Sequence, residues 1–283
     1  MPRLPLSLSK ALDAWKEAVA KTSDSAGITL AGDPDLVAAA QQKFSTGGTL
    51  PSAWVRPLAE LPALTSVPGE LLLVFARPQD EAEALAALEP AAPKGGAIVI
   101  VDEGTEATGK ATRPFTRCTR LSFGATDAGW DRLFALCAET AGDKAPALGR
   151  RYPALRAAAA SRVIYRTAAQ NALIGIAFFV PGSDMPAMTA NQVKMVLAIA
   201  NLYGEEIDRE RAIELVAVVA AGFGLRALAR SLVRSVPGIG LVVKASSGYT
   251  ATVALGFAAV RYFENGAPAA TSRIMSLAGS LRH

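Results

Sequence analysis

The chain has 283 residues, of which 51% are hydrophobic and 19% are charged, compared with about 25% charged residues in typical globular proteins. This composition supplies a large core and excludes a disordered chain. The net charge of +4 arises from 29 basic and 25 acidic residues. Such a small excess suits an anionic membrane surface as well as nucleic acid and decides for neither. At this length we expect two domains.

Histidine and cysteine usage restricts the possible chemistry. The one histidine is His283, at the last position, which removes Ser-His-Asp catalysis, imidazole metal sites and the usual general base at neutral pH. Cys118 and Cys137 are too few for a disulfide framework or a thiolate zinc site. The N-terminus has no pattern typical of a secretory signal peptide. We therefore expect a cytoplasmic protein without cofactor or metal and without enzymatic activity.

The first elements along the chain are predicted from helical spacing and from capping residues. Residues 8–21 place apolar side chains at helical spacing and predict an amphipathic helix. Residues 27–32 predict a short buried strand. Asp33 can then cap a helix that runs to Phe44, in which Pro34 takes the first helical position, where its missing N–H costs nothing.

Three further apolar runs alternate with helical patterns. Strands are predicted at residues 71–76, 97–101 and 118–123, and helices at 80–88 and 127–140. Continuous apolar strands separated by helices are typical of a parallel sheet covered on both faces. The N-terminal half is therefore predicted to be an open, mostly parallel, Rossmann-like α/β sheet.

The turn after the first predicted strand lacks the residues of a phosphate-binding loop. Such a loop needs a glycine-rich turn, a lysine and a hydroxyl residue before a helix. Here the strand is followed by Asp33, Pro34 and Asp35, so two carboxylates and a residue without an N–H occupy the phosphate position. We do not expect an anion site there. Asp33/Asp35 and the second carboxylate pair, Asp102/Glu103, are interpreted as cap and turn residues.

A later stretch comes closer to a phosphate-binding loop. Residues 104–111 contain Gly109 and Lys110 at the required spacing, but Ala111 occupies the hydroxyl position. Pro114 follows four residues after the lysine, where it would interrupt the helix that a phosphate site requires. We interpret the stretch as a polar surface loop. The alternative is a nucleotide site that uses Gly109 and Lys110.

The C-terminal half changes to helical patterns. Helices are predicted at residues 154–179, 186–203, 212–225 and 241–263. Gly204 suits a left-handed C-terminal cap of the second of these helices. That helix carries an apolar stripe that we expect to lie in the core, with Asn191 and Gln192 off the stripe. The stripe consists of Met188, Met195, Ile199 and Leu202.

Arginines and small residues distinguish the last two predicted helices. The first is followed by Arg226, Arg230 and Arg234, spaced four apart, and the second contains Gly248, Thr250, Thr252 and Gly256. Small residues permit close helix packing. Three interpretations of this pair remain open: a buried hairpin in a soluble bundle, a hairpin that lies on or inserts into a membrane, and a protein–protein interface. In the membrane case the arginines would reach lipid headgroups, and residues 210–263 would make a multi-pass protein if they spanned the bilayer.

Short signatures occur in order along the C-terminal half. They are Pro181, Gly182, Asp184, Gln192, Met195, Tyr203, Gly204, Pro237, Gly238, Gly240, Thr250 and Gly256. With these signatures, residues 160–263 resemble the helical family called domain of unknown function 697. That family follows Era-like GTPase domains and occurs in YcjF-type inner-membrane proteins.

The resemblance implies a degenerate GTPase-like domain at residues 1–147 and the helical domain at residues 148–283. Residues 28–32 would stand for the first GTPase strand, residues 71–75 for the third, and residues 97–101 for the strand before the guanine-reading motif. At that motif this chain has Asp102 and Glu103 instead of Asn and Lys. The resemblance therefore implies no GTP hydrolysis.

From the residues and the resemblance we expect a non-catalytic scaffold or regulatory protein that associates with the inner membrane or with a partner GTPase. Self-association into a homo-oligomer is compatible with this expectation. Nucleic-acid binding is not expected, because the arginines fall on an apolar helix without interleaved aromatic residues. The alternative function is nucleotide binding, or an atypical GTPase activity, through the loop at residues 104–111.

Overall fold

The computed structural model of the chain describes residues 27–45, 55–63, 69–91, 96–115, 117–177, 185–205 and 240–265. The chain divides into two compact units, and the division falls between Arg162 and Val163. We call the described residues up to Arg162 the sheet unit and those from Val163 the helical unit.

The sheet unit is built on a parallel sheet. Its described strands are β1 (Ile28–Gly32), β2 (Val55–Arg56), β3 (Leu71–Ala76), β4 (Ala97–Asp102), β5 (Ala111–Phe115) and β6 (Cys118–Phe123), in the spatial order β2-β1-β3-β4-β6-β5. Neighbouring strands are parallel except for β5 and β6. This sheet, followed by helices, confirms the predicted fold class.

Helices cover both faces of the sheet. The described helices of this unit are α1 (Pro34–Phe44), α2 (Glu81–Ala91), α3 (Asp127–Ala141) and α4 (Ala145–Arg151), and α5 (Arg156–Ala177) begins in it. On one face, α2 packs Ala84 and Leu88 against the even-numbered residues of β3 and the odd-numbered residues of β4. On the other face, the ring centroids of Phe44 in α1 and Phe134 in α3 lie 5.5 Å apart. The strand sequences are continuously apolar because both faces of the sheet are buried.

The predicted start of the first helix is confirmed. The Asp33 side chain caps α1 by accepting hydrogen bonds from the backbone N–H groups of Asp35 and Leu36, and Pro34 is the first helical residue. The capping carboxylate and the proline act through local geometry alone, which is why the sequence identifies this boundary well.

Two strands of the sheet, β2 and β5, are not predicted from the sequence. β2 has only two residues, and β5 starts at Ala111 and carries Arg113 and Pro114. Neither contains an apolar run, because each lies at an edge of the sheet and needs little burial. Proline is tolerated in an edge strand, whose outer N–H groups have no partner strand.

The region after the sheet differs from the long helix predicted at residues 154–179. Residues 153–155 form a 3-10 turn between α4 and α5. The hydroxyl of Tyr152, at the end of α4, accepts a hydrogen bond of 3.2 Å from the backbone N–H of Ile28 in β1. Burial raises the pKa of this hydroxyl. This hydrogen bond connects the end of α4 to the sheet core. The domain boundary at residues 147/148 stays a prediction.

The helical unit contains the rest of α5 together with α6 (Met185–Leu202) and α7 (Gly240–Glu264). These helices confirm the predictions at residues 186–203 and 241–263. Gly204 has a φ of 80°, as expected of a left-handed cap after α6. None of the helices that the structure describes is both long and apolar enough to cross a membrane.

Several predictions concern residues outside the described ranges. They are the helix at residues 8–21, the helix at 212–225, the signature residues Pro181, Gly182, Asp184, Pro237 and Gly238, and the arginines Arg226, Arg230 and Arg234.

Two glycines allow α7 to approach its neighbours closely, as the small residues of this segment predict. A Cβ added at Gly248 would lie 2.5 Å from Cε of Met188 in α6. A Cβ at Gly256 would lie 2.5 Å from Cγ1 and 2.9 Å from Cγ2 of Ile164 in α5. Because isoleucine is branched at Cβ and stiff at χ1, it cannot simply swing away from a new methyl group.

Gly256→Ala is expected to destabilise the protein by about 1–3 kcal/mol through overpacking, although alanine has the higher helix propensity by about 1 kcal/mol. In an Ile164→Ala background the same change is expected to be neutral or stabilising. Chemical denaturation of the four proteins of this double-mutant cycle measures the coupling. Equal effects of Gly256→Ala in both backgrounds would contradict the close approach.

Candidate functional site

The carboxyl ends of β1 and β3 form the crevice where doubly wound sheets usually bind ligands. β1 lies between β2 and β3, so the chain continues from β1 to β2 on one side of it and then to β3 on its other side. Ligands of open α/β sheets bind at such a switch point, next to the N-terminus of the helix that follows the strand. The residues at this position are Gly32, Asp33 and Arg77.

The protein's own carboxylate occupies this helix N-terminus. Oδ1 of Asp33 accepts hydrogen bonds of 3.1 Å from the backbone N–H groups of both Asp35 and Leu36. Oδ2 accepts a 2.7 Å hydrogen bond from Nε of Arg77, and Nη2 of the same arginine lies 3.7 Å from Oδ2 of Asp35. The donors that would bind a phosphate are therefore used internally.

The backbone closes the same crevice. Gly32 has a φ of 114°, and a Cβ on it would lie 1.9 Å from the carbonyl oxygen of Phe75 in β3. That oxygen accepts a hydrogen bond of 2.8 Å from the N–H of Asp33. The turn after β1 thus lies directly against the end of β3.

The charges of the crevice stabilise each other. Burial opposes ionisation of Asp33, but the hydrogen bond from Arg77, the N–H of Leu36 and the Arg77 charge outweigh it, so the pKa of Asp33 is lowered. The hydrogen bond to Asp33 in turn raises the pKa of Arg77. Neither group has the near-neutral pKa that a general acid or base requires.

A second ion-pair cluster lies at the ends of β4 and β6. Arg120 donates hydrogen bonds of 2.6 Å to Glu81 and 2.6 Å to Glu103. The Ser122 hydroxyl donates to the other oxygen of Glu103 and accepts a 2.9 Å hydrogen bond from the N–H of Thr108. The hydrogen bonds from Ser122 and Arg120 lower the pKa of Glu103. Glu103 therefore ties the loop after β4 to β6, in keeping with its interpretation as a turn residue.

The loop with Gly109 and Lys110 is placed on the surface. Gly109 has a φ of 65°, and the side chain of Lys110 is exposed. Lys110 is followed directly by β5 rather than by a helix. The loop therefore offers no helix N-terminus to a phosphate.

Metal-ligating clusters and reactive thiols are absent among the described residues. They contain no group of three or more His, Cys, Asp and Glu side chains that could hold a metal ion. Both thiols are buried, and burial raises the pKa of Cys118 to about 11 and raises that of Cys137 as well. Neither thiol is a reactive thiolate at neutral pH.

The helical unit contains a buried polar network that connects its three described helices. Nδ2 of Asn171, in α5, donates hydrogen bonds to Oγ1 of Thr252 in α7 at 2.9 Å and to the Met188 carbonyl in α6 at 3.5 Å. Its Oδ1 accepts a 3.1 Å hydrogen bond from Asn191, and Gln192 donates one of 3.2 Å to Thr252. The Thr252 hydroxyl donates to the carbonyl of Gly248.

This network is complete rather than open. Asn171 uses both of its amide donors and its carbonyl, and Thr252 uses its one donor and accepts two hydrogen bonds. Both side chains are fully buried. Such a satisfied buried pair fixes helix register and leaves no donor of Asn171 or Thr252 for a ligand. Asn191 and Gln192, predicted to lie off the core stripe, therefore have a structural role.

The family signatures fall at structural positions. Met195 is buried on α6, Gln192 belongs to the polar network, and Tyr203 donates a 2.9 Å hydrogen bond to Glu264 at the end of α7. The other described signature residues are Gly204 after α6, and Gly240, Thr250 and Gly256 on α7. Of these, Gly256 lies against Ile164 and Thr250 is exposed. The core stripe is confirmed, with Met188 only partly buried.

An exposed apolar face lies on the α5–α7 pair. The two helices are antiparallel, since Ile164 faces Gly256 whereas Asn171 binds Thr252. Tyr165 and Phe257 form an edge-to-face pair with ring centroids 6.0 Å apart. Leu173 lies eight residues after Tyr165, and Tyr249 lies eight residues before Phe257. Because the helices are antiparallel, both lie about 12 Å from the ring pair in the same direction along the helix axes. We call these four residues the apolar stripe; they are 38–66% exposed.

The sequence gives no local signal for the roles of Arg77 and Arg120, because their ion-pair partners lie far from them in sequence. Asn171 and Thr252 give a weak signal in the sequence: an amide on an apolar helix face and a hydroxyl between two glycines. The apolar stripe could not be separated from core positions by periodicity alone.

These features define a protein with a doubly wound α/β sheet and a helical C-terminal part. Residues 147–277 match the family model described as domain of unknown function (DUF697), which confirms the resemblance seen in the sequence. No curated protein and no solved structure matched the chain.

Glu103→Gln is expected to lower the free energy of unfolding by about 1–2 kcal/mol at pH 7, because hydrogen bonds to a charged partner are lost. The lowered pKa of Glu103 means that its contribution is present above the unfolded pKa of about 4.3 and is lost as the pH falls through the folded value. Denaturation at several pH values should show the difference from wild type shrinking below about pH 4. The exposed Glu106→Gln, three residues away, is the control and should have no effect at any pH.

Thr252→Val is expected to destabilise the protein by about 1–3 kcal/mol, because Asn171 and Gln192 each lose a buried acceptor while the side-chain shape is kept. Thr250→Val, at an exposed position of the same helix, is the matched control. Urea denaturation of both variants makes the comparison, and equal stabilities would show that the network does not contribute.

Proposed function

We propose that this protein is a non-catalytic binding protein whose helical unit attaches to a membrane surface through the apolar stripe. The sheet unit serves as a scaffold in this proposal. It is a GTPase-like domain that no longer binds nucleotide.

The apolar stripe carries the proposal. Tyrosine, phenylalanine and leucine side chains that are 38–66% exposed on adjacent antiparallel helices give the unit an apolar surface that water solvates poorly. Aromatic rings at an apolar–aqueous boundary are typical of residues at the membrane interface. The helices lie flat on the membrane in this arrangement and need not cross it.

The charges of the helical unit favour an anionic surface. In the sequence, residues 163–283 contain eleven basic and seven acidic side chains, a net charge of +4. Arg166 follows Tyr165 directly, and Arg261 lies one turn after Phe257. Basic side chains beside an apolar face add electrostatic attraction to anionic lipids.

The carboxyl edge of the sheet unit supports the absence of nucleotide chemistry. The Asp33 carboxylate accepts hydrogen bonds from the first free amides of α1, and Arg77 pairs with that carboxylate. A phosphate would have to displace an internal anion that is already neutralised. Displacing the Asp33 carboxylate would cost binding free energy. The exposed loop at residues 104–111 provides no alternative phosphate site, because a strand and not a helix follows it.

Co-sedimentation of the full chain with vesicles tests the proposal. Binding is expected to anionic phosphatidylglycerol vesicles and to be weaker with neutral phosphatidylcholine. Leu173→Glu should weaken binding at least about tenfold, since burying a leucine side chain is worth about 1.5–3 kcal/mol and 1.4 kcal/mol corresponds to a factor of ten. Thr189→Glu, at an exposed position of α6, carries the same charge change without loss of an apolar side chain and should weaken binding much less.

Two results would contradict the membrane proposal. One is full-length protein that stays in the supernatant with every vesicle composition, and the other is equal binding by Leu173→Glu and Thr189→Glu. Circular dichroism of both variants checks that they are folded. The first result would assign the apolar stripe to a protein partner, such as a GTPase, instead of lipid.

A further inference from the structure

The sheet unit contains a cleft at the edge opposite to the crevice of Asp33. Its volume is about 430 Å³, within the range of about 300–1,000 Å³ that is usual for small-molecule sites. Gly96 and Arg117 immediately precede β4 and β6, and Thr140 lies in the last turn of α3. The cleft therefore opens towards the amino ends of the parallel strands.

The cleft is formed by the β5–β6 hairpin and α3. Arg113 comes from β5, Thr119 from β6, and Arg132 and Glu139 from α3. A Cβ at Gly96, whose φ is 118°, would lie 2.7 Å from Cγ2 of Thr140. Glycine at this position thus leaves room between the start of β4 and the end of α3.

Three guanidinium groups line the cleft with one carboxylate, a local charge of +2. No described carboxylate forms an ion pair with Arg113, Arg117 or Arg132. The one hydrogen bond described for these side chains runs from Nε of Arg132 to the Gly109 carbonyl at 3.3 Å. Glu139 lines the cleft without pairing to any of the three.

The arginines at the carboxyl edge are treated differently. Arg77 lies within ion-pair distance of two carboxylates, and so does Arg120. The same small domain thus neutralises its arginines at one edge and leaves three unneutralised around a cavity at the other. Arg113, Arg117 and Arg132 are all exposed, so their guanidinium N–H groups are accessible to an anion that enters the cleft.

We propose that this cleft binds a small oxyanion with two or more negative charges. Guanidinium groups bind phosphate and carboxylate oxygens with paired N–H donors. The hydroxyls of Thr112, Thr119 and Thr140, which also line the cleft, supply further donors for the same oxygens. The ligand lies at the amino edge of the sheet, so the site is separate from the crevice of Asp33 at the carboxyl edge.

Thermal unfolding and calorimetry of the full chain test the site, with inorganic pyrophosphate and citrate as probes that separate phosphate from carboxylate chemistry. A saturable rise in Tm of about 5–10 °C is expected at about 100 times Kd. Sodium chloride at the same ionic strength should not reproduce it. Arg117→Gln and Arg132→Gln should each weaken binding by about 10- to 100-fold, as expected for the loss of a charged hydrogen bond.

Lys194→Gln removes one positive charge from α6, outside the cleft, and is the matched control. Arg113→Gln, at an exposed position of the edge strand, provides a second test if a substitution at Arg117 or Arg132 prevents folding. Binding of neither probe would overturn the proposal. An equal loss of affinity in Lys194→Gln, or wild-type affinity in all three arginine variants, would overturn it as well.

Discussion

The capping of α1 by Asp33 is the interaction on which the character of the sheet unit depends. A helix N-terminus at the switch point of a parallel sheet is an anion site by its geometry, because its first N–H groups have no partner within the helix. Here the Asp33 carboxylate accepts two of those N–H groups at 3.1 Å, and Arg77 balances its charge. The same residue that starts the helix thereby fills the position a ligand would take. Gly32, which no larger residue can replace beside Phe75, holds the turn in this geometry.

The helical unit is specified by a different physical principle. Its helices approach closely at Gly248 and Gly256 and are joined at Asn171 and Thr252. Close approach without polar contacts would allow apolar helices to slide or rotate, whereas the buried amide and hydroxyl are satisfied at a single register. The cost of that specificity is a core that tolerates few substitutions. The large side chains of the apolar stripe lie outside this packing and are 38–66% exposed.

Much of the fold could be predicted from the sequence, and the successes and failures have a common cause. Asp33 and Pro34 mark the start of α1 through local chemistry, and the run at residues 71–76 identifies a strand because both of its faces are buried. β5 was not predicted, since its edge position requires no apolar run. The 3-10 turn at residues 153–155 was not predicted because Tyr152 is held by Ile28, which is distant in sequence. The candidate sites follow the same rule: missing motifs are visible in the sequence, but the pairing of Arg77 and Arg120 depends on the fold.

The distribution of charge completes the contrast between the two edges of the sheet. At the carboxyl edge each arginine is placed between carboxylates, and the lowered pKa values of Asp33 and Glu103 reflect that these carboxylates stay ionised through their hydrogen-bond partners. At the amino edge, Arg113, Arg117 and Arg132 surround a cavity with no such partners among the described residues. At the carboxyl edge, the Asp33 carboxylate accepts the N–H groups at the start of α1 and so occupies the helix N-terminus. At the amino edge the three arginines are exposed to solvent, so their charges are solvated without carboxylate partners and their N–H groups remain accessible to an anion.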